Sequence, residues 1–380
     1  MSAHRNAHAN ATLTVDLGAL ASNYRFLVDR FSGRHVGAAV KADAYGIGIE
    51  RAAQTLHAEG CRIFFVANLD EGVELREILA PTPGDVSEIY IFEGVEAAHS
   101  AVFSQHNLRP VLNHLGQIEA WAAQAARSST PLAAALHIDT GMSRLGLPPQ
   151  ELEILKAEPE RLSGIDLKLV MTHLISADLP DDPSNELQRQ KFAEVRALFP
   201  DAEASLANGA GILLGPAYHA DVARAGLALY GGNPVPAQPN QMSEVIQIKA
   251  KIAQIREIDS PQTVGYGATH RVTGPARIAT VSVGYADGYP RSLGNQGFAV
   301  LDGKKVPVVG RVSMDLITLD VSEIAPDRAA VGCEVEILGG SVSPVELATA
   351  AGTVDYELLT RIGRRYQRRY IDARTAEEVN

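Results

Sequence analysis

The sequence predicts an α/β protein, an N-terminal (β/α)8 TIM-like barrel followed by a mainly β C-terminal domain. Three observations carry this prediction. Up to about Gly232, short apolar runs alternate with longer amphipathic, alanine-rich stretches. Eight such runs occur, and strands alternating with helices build a parallel sheet that closes at eight units. Past a proline-rich linker, Asn233–Asn240, the texture changes to β-type alternation. A length of 380 residues suits two domains, placed at 12–235 and 236–380.

The eight predicted barrel strands are His35–Val40, Arg62–Ala67, Glu88–Phe92, Arg109–Leu112, Ala133–Ile138, Leu167–Met171, Glu203–Leu206 and Ala220–Val222. Segments such as Leu17–Phe31 and Leu187–Leu198 read as the intervening helices. In the second domain Val245–Ile258, Ile278–Val283, Phe298–Leu319 and Cys333–Leu338 read as strands, with a hairpin at Asp302-Gly303. Helices are expected at Pro344–Ala351 and Tyr356–Arg364.

Composition narrows the function classes. The net charge of −11 repels polyanions, so nucleic acid is not an expected partner. Cys61 and Cys333 stand far apart in no metal-binding spacing, so neither a disulfide framework nor a metal site is expected. Two reduced thiols suit the cytoplasm. The stretches without charged residues, Ala204–Ala220 and Ala225–Ser243, are broken by glycine and proline and do not read as membrane spans. Residues 1–12 carry no apolar signal-peptide core.

Barrel active sites form where strands end. Unusual polar residues collect there: Lys41 after the first strand, His137 and Arg144 around the fifth, and His173 at the sixth. Asn208-Gly209-Ala210-Gly211 follows the seventh strand, and Arg224-Ala225-Gly226 marks the eighth. A lone lysine after a strand is usually a solvated terminus, but a desolvated one makes a Schiff-base nucleophile. The glycine segments can bring backbone N–H groups to an anion. A lysine with a phosphate cradle points to a pyridoxal phosphate enzyme.

Lys41 within Val-Lys-Ala-Asp-Ala-Tyr-Gly resembles the cofactor-lysine motif of alanine racemases. The similarity continues in family order through Asp139–Gly146, Thr172-His173, Ser205–Asn208 and Arg224–Gly231. In the second domain it includes Gly265–Thr269, Gly284–Arg291 and Gly310–Asp315. The resemblance implies interconversion of L- and D-alanine by two bases on opposite faces of the substrate. Lys41 would hold pyridoxal 5'-phosphate and act on the D-alanine side, with Tyr266 opposite. A free tyrosine titrates near ~10, so Tyr266 needs surroundings that favour its phenolate, and His173 and Arg224 are expected to provide them. Arg224 would face the pyridine nitrogen. Tyr45, Tyr356, Asn208, Gly209, Gly226 and Leu227 would bind the cofactor, mainly at its phosphate.

The resemblance also implies a head-to-tail homodimer in which each β domain completes its partner's barrel mouth. Arg144 and the Met314 backbone would meet the alanine carboxylate, Tyr285 would narrow the entrance, and Asp315 would orient neighbouring groups. Four positions depart from the common pattern. His137 replaces a lysine that is often carbamylated, Gly209 a serine, Ser313 a cysteine and Ile47 a histidine. The nearest alternative is a broader racemase of serine, lysine or arginine. A decarboxylase of basic amino acids is opposed by Arg224 and Ser313. A non-catalytic cofactor carrier is opposed by the second domain and Tyr266.

Overall fold

The computed structural model describes residues 6, 8–80 and 87–372. The rest of the polar start and residues 373–380 of the expected second domain lie outside them. The first strand, β1 (Ala11–Asp16), does not join the sheet that follows it. That sheet consists of β2 (His35–Ala39), β3 (Ile63–Val66), β4 (Glu88–Ile91), β5 (Arg109–Leu112), β6 (Leu132–His137), β7 (Ile165–Met171), β8 (Glu203–Ser205) and β9 (Val222–Ala225). Its order is β8-β7-β6-β5-β4-β3-β2-β9, every pairing is parallel, and helices lie between the strands.

A parallel sheet covered by helices buries both faces, and β3 shows this directly: all four of its residues are buried. Two hydrogen bonds close the ring, from Asp221 N to the Ala204 carbonyl and from Arg224 N to the Ala207 carbonyl, both 2.9 Å. The last barrel strand lies later than Ala220–Val222. Arg224 interrupts the apolar run in sequence, but its backbone still pairs in the ladder with Gly37.

The second sheet contains β10 (Ile246–Ile258), β13 (Ala276–Val281), β14 (Phe298–Leu301), β15 (Lys304–Pro307), β16 (Ile317–Asp320), β17 (Glu334–Leu338) and β18 (Gln367–Ile371). A small hairpin, β11 (Gln262–Val264) with β12 (His270–Val272), stands beside it. The expected strand Phe298–Leu319 is three strands. Its first turn is the anticipated Asp302-Gly303, where φ values of 51° and 74° form the left-handed pair that matches hairpin twist. Helix Pro344–Ala351 falls where expected, and the next helix is shorter, Asp355–Thr360.

β1 corrects the boundary expected at residue 12. It lies antiparallel to β10 and parallel to β18, inside the second sheet. Leu13 and Val15 point inward and are buried, while Thr12 and Thr14 alternate with them at period two. Asp16 then caps the helix Leu17–Arg30, accepting from Ala19 N at 2.9 Å. One six-residue strand therefore ties the barrel to the other domain.

Candidate active site

Lys41 follows β2 at the barrel mouth, at the edge of a cavity of about 720 Å³. The backbone after it is unusual. Ala42, Asp43, Ala44 and Tyr45 have φ of 54°, 55°, 51° and 53°, a left-handed turn of four L-residues. Each such residue costs about 1–2 kcal/mol, so surrounding contacts must hold the turn. Asp43 accepts from Ile49 N at 2.8 Å, and the Glu71 carboxylate accepts from Ala42 N at 2.8 Å. Burial lowers the proton affinity of the Lys41 amine, repulsion from Arg144 lowers it further, and Glu71 opposes both.

Arg224, on β9, is buried among acceptors. Its guanidinium donates to the Ser205 carbonyl, the Ser205 hydroxyl and the Thr172 carbonyl. It also donates to His173 Nδ1 at 3.3 Å. Arginine only donates, so Nδ1 accepts and the neutral ring carries its proton on Nε2. Burial, then the Arg224 charge, pushes His173 down to about 3, which keeps it neutral near pH 7. Among the described residues, Arg224 Nε is buried without a hydrogen-bond partner. A buried donor left open beside a cavity fits an acceptor such as a pyridine nitrogen.

The candidate anion cradle lies alongside. Asn208 caps a short helical turn by accepting from Gly211 N at 2.8 Å, and Gly226 precedes a 3-10 turn at Leu227–Tyr230. The N–H groups of Gly209, Gly226 and Leu227 open these turns, where no intrahelical acceptor exists. A Cβ on Gly226 would come within 2.7 Å of the Tyr45 hydroxyl, so only glycine lets that phenol lie over the backbone. Tyr356 approaches the Tyr45 ring at 6.2 Å. Burial raises both phenols, Tyr356 to about 12, so each remains an O–H donor. Lysine, open arginine donor and cradle together fit pyridoxal phosphate.

His137, on β6, is buried and pushed down to about 3, chiefly by burial and then by the Arg224 charge. Asn113 fixes its ring. The Asn113 amide donates to the Phe92 and Val111 carbonyls at 2.9 and 2.8 Å, leaving its oxygen to accept from His137 Nδ1 at 2.9 Å. Nε2 is therefore the unprotonated nitrogen. Arg144 lines the same cavity and makes no hydrogen bond or ion pair with the described residues.

The cavity brings together Lys41, Tyr45, Arg144, His173, Asn208, Gly209, Arg224, Gly226, Leu227 and Tyr356. It does not include Tyr266, Tyr285, Met314 or Asp315, which lie on the second domain. Of these Tyr266 is 70% exposed and Met314 53% exposed, large apolar groups left uncovered within one chain. Tyr285 and Met314 occupy interlocked loops: Tyr285 N donates to the Ser313 carbonyl at 3.1 Å, and Ala286 N to Met314 at 3.0 Å. Arg365 clamps both loops, donating twice to buried Asp287 at 2.7 Å and once to Asp315 at 2.6 Å.

Sequence reasoning missed Asn113, Glu71 and Arg365. Asn113 had a signal, as a polar residue just after the fifth strand. Glu71 had one in Asn68-x-x-Glu71, a helix-start pattern. Arg365 had none, since it lies among several arginines near the chain's end.

A barrel that sets a desolvated lysine beside turn-opening backbone N–H groups and a buried arginine with an open donor fits the pyridoxal phosphate enzymes. Comparison with known proteins narrows this. The alanine racemase N-terminal domain family matches residues 15–234, and the alanine racemase C-terminal domain family matches 245–370. The chain belongs to the alanine racemase family. An alanine racemase of Rhodospirillum rubrum is 49% identical, covering 95% of this chain and 96% of the relative. A catabolic alanine racemase of Mesorhizobium japonicum is 44% identical, covering 96% and 94%. The crystal structure of alanine racemase from Bartonella henselae with covalently bound pyridoxal phosphate superposes with a TM-score of 0.91 at 35% identity, covering 96% of this chain and all of that one.

Proposed function

We propose that the chain interconverts L- and D-alanine, using Lys41 and Tyr266 as the two acid–base groups and pyridoxal 5'-phosphate as cofactor. The observation that carries this reading is the buried Arg224, which lines the cavity that Lys41 borders and whose Nε has no hydrogen-bond partner among the described residues. Bound pyridoxal phosphate supplies the electron sink that makes the alanine Cα proton removable. Tyr45, Tyr356 and the N–H groups at Gly209, Gly226 and Leu227 hold its phosphate, with Asn208 shaping that turn. Arg224 donates to the ring nitrogen and keeps its own proton, so the ring is a moderate sink and proton return competes well with side reactions.

Lys41 takes or returns the proton on the D-alanine face. Its lowered proton affinity makes the neutral, basic amine accessible. Tyr266 of the partner subunit serves the other face, and in that arrangement the His173 Nε2–H donates to its oxygen. Arg144 and the partner's Met314 backbone receive the carboxylate, and the partner's Tyr285 narrows the entrance. Asp315, held by Arg365, keeps the Met314 loop in place.

This assigns pyridoxal phosphate binding to 12–235, apart from β1, and completion of the partner's site to 236–380. The exposure of Tyr266 and Met314 supports a homodimer, because both would be covered there. Among the described residues no helix is long and apolar enough to cross a membrane. With two unpaired cysteines, that supports a cytoplasmic enzyme. Its product would serve cell-wall synthesis, or the reverse reaction alanine catabolism. The relatives' names do not favour a broader serine, lysine or arginine racemase. Chiral analysis of L-alanine incubated with protein and pyridoxal phosphate tests the proposal, beside L-serine, L-lysine and L-arginine. Racemic alanine with the others unchanged is expected; no D-isomer from any of them would overturn it.

A further inference from the structure

The helix Leu69–Leu79 begins with an ordinary cap: Asn68 accepts from Glu71 N at 3.0 Å. In the usual reciprocal arrangement the third-position glutamate returns to the N-cap N–H. Here the Glu71 carboxylate goes elsewhere. One oxygen accepts from Ala67 N and the other from Ala42 N, both at 2.8 Å. The second bond crosses from the first turn of this helix to the peptide that immediately follows Lys41. On the other side of the lysine, Val40 N donates to the Phe65 carbonyl at 2.9 Å. The peptide that follows Lys41 is therefore held from the helix Leu69–Leu79, and the Ala39–Val40 peptide, one plane before the Val40–Lys41 linkage, from β3. The left-handed turn begins at Ala42 itself, so the Glu71 bond sits where the backbone departs from ordinary geometry.

We propose that Glu71 is a positioning residue for Lys41, its carboxylate fixing the strained turn so that the amine points across the barrel mouth. The proposal rests on the reading of Lys41 as the cofactor lysine. Glutamine at this position accepts one of the two N–H groups and presents its own N–H to the other, so the clamp fails on one side. Removing the cap alone, by Asn68→Ala, leaves both carboxylate bonds.

The test compares Glu71→Gln, Asn68→Ala and the unaltered full chain. Each is incubated with pyridoxal phosphate, reduced with borohydride and mapped by peptide mass. Both variants should melt earlier. Only Glu71→Gln should slow adduct formation at Lys41, by roughly tenfold for one lost hydrogen bond, and speed amide exchange across residues 42–46. Cα proton exchange from D-alanine should then fall more than from L-alanine, a bias that a loss of stability alone does not produce.

Folded Glu71→Gln protein that forms the Lys41 adduct at the unaltered rate overturns the proposal. An adduct at another lysine in the unaltered chain overturns the Lys41 reading, and this proposal with it. Should Glu71→Gln fail to fold, the unaltered chain decides. Slow exchange of the Ala42 amide, comparable to barrel strands, supports the clamp, and free exchange there refutes it.

Discussion

At the scale of single residues, two histidines are held neutral by different neighbours. His173 accepts from Arg224, and His137 donates to Asn113, so their protons lie on opposite ring nitrogens. Burial depresses both to about 3 from an ordinary value of 6.5. The unfolded chain takes up these protons first, so stability is full above about pH 6.5 and declines as pH falls from there toward 3. Urea midpoints between pH 7 and 4.5 should fall, and the fall should lessen in His137→Gln. A neutral His137 also cannot form the carbamate that a lysine can. Activity should accordingly be unchanged in carbonate-free buffer, and a KM for alanine that drops on adding bicarbonate would count against that. Lys41→Ala should abolish the covalent cofactor absorbance. Tyr266→Phe should slow proton exchange from L-alanine more than from D-alanine, and equal losses would argue against a face-specific role.

Among elements, the interlocked loops of the second domain, the proposed substrate entrance, show how a distant side chain can hold two loops together. A Cβ on Gly284 would meet the Met314 carbonyl oxygen at 2.3 Å, so the two loops touch through bare backbone. Arg365 then bridges Asp287 and Asp315, one on each side. Arg365→Ala leaves the buried Asp287 carboxylate with the Gly284 N–H at 2.9 Å. Half-exposure of the arginine moderates the loss, and a decrease of about 1–3 kcal/mol in unfolding free energy is expected from denaturant titration. What sequence made legible follows the same division. Barrel strands were readable because burial on both faces leaves continuous apolar runs. β18 was not, because Arg368 and Arg369 mask a strand that pairs with β1 on one side. The cradle and Lys41 were readable from motifs. The left-handed turn was not, since Ala42-Asp43-Ala44 carries no residue that favours positive φ strongly enough to announce it.

For the whole molecule, the decisive question is whether a site is built from two chains. Chains carrying Lys41→Ala can be mixed with chains carrying Tyr266→Phe, after unfolding and refolding together. If the bases belong to different subunits, half of the dimers are mixed and each has one intact site, restoring roughly a quarter of full activity. No recovery from a mixture of folded, dimeric variants would place both bases within one subunit.

β1 has a further consequence, in the timing of synthesis. It leaves the ribosome before every barrel strand, yet its partner β10 follows about 230 residues later, a delay of roughly 10–50 s at ordinary elongation rates. Throughout that interval the barrel can assemble while this apolar strand has neither neighbour present. A nascent chain stalled near residue 240 should therefore recruit chaperones through Leu13 and Val15, and replacing both by threonine should weaken that capture.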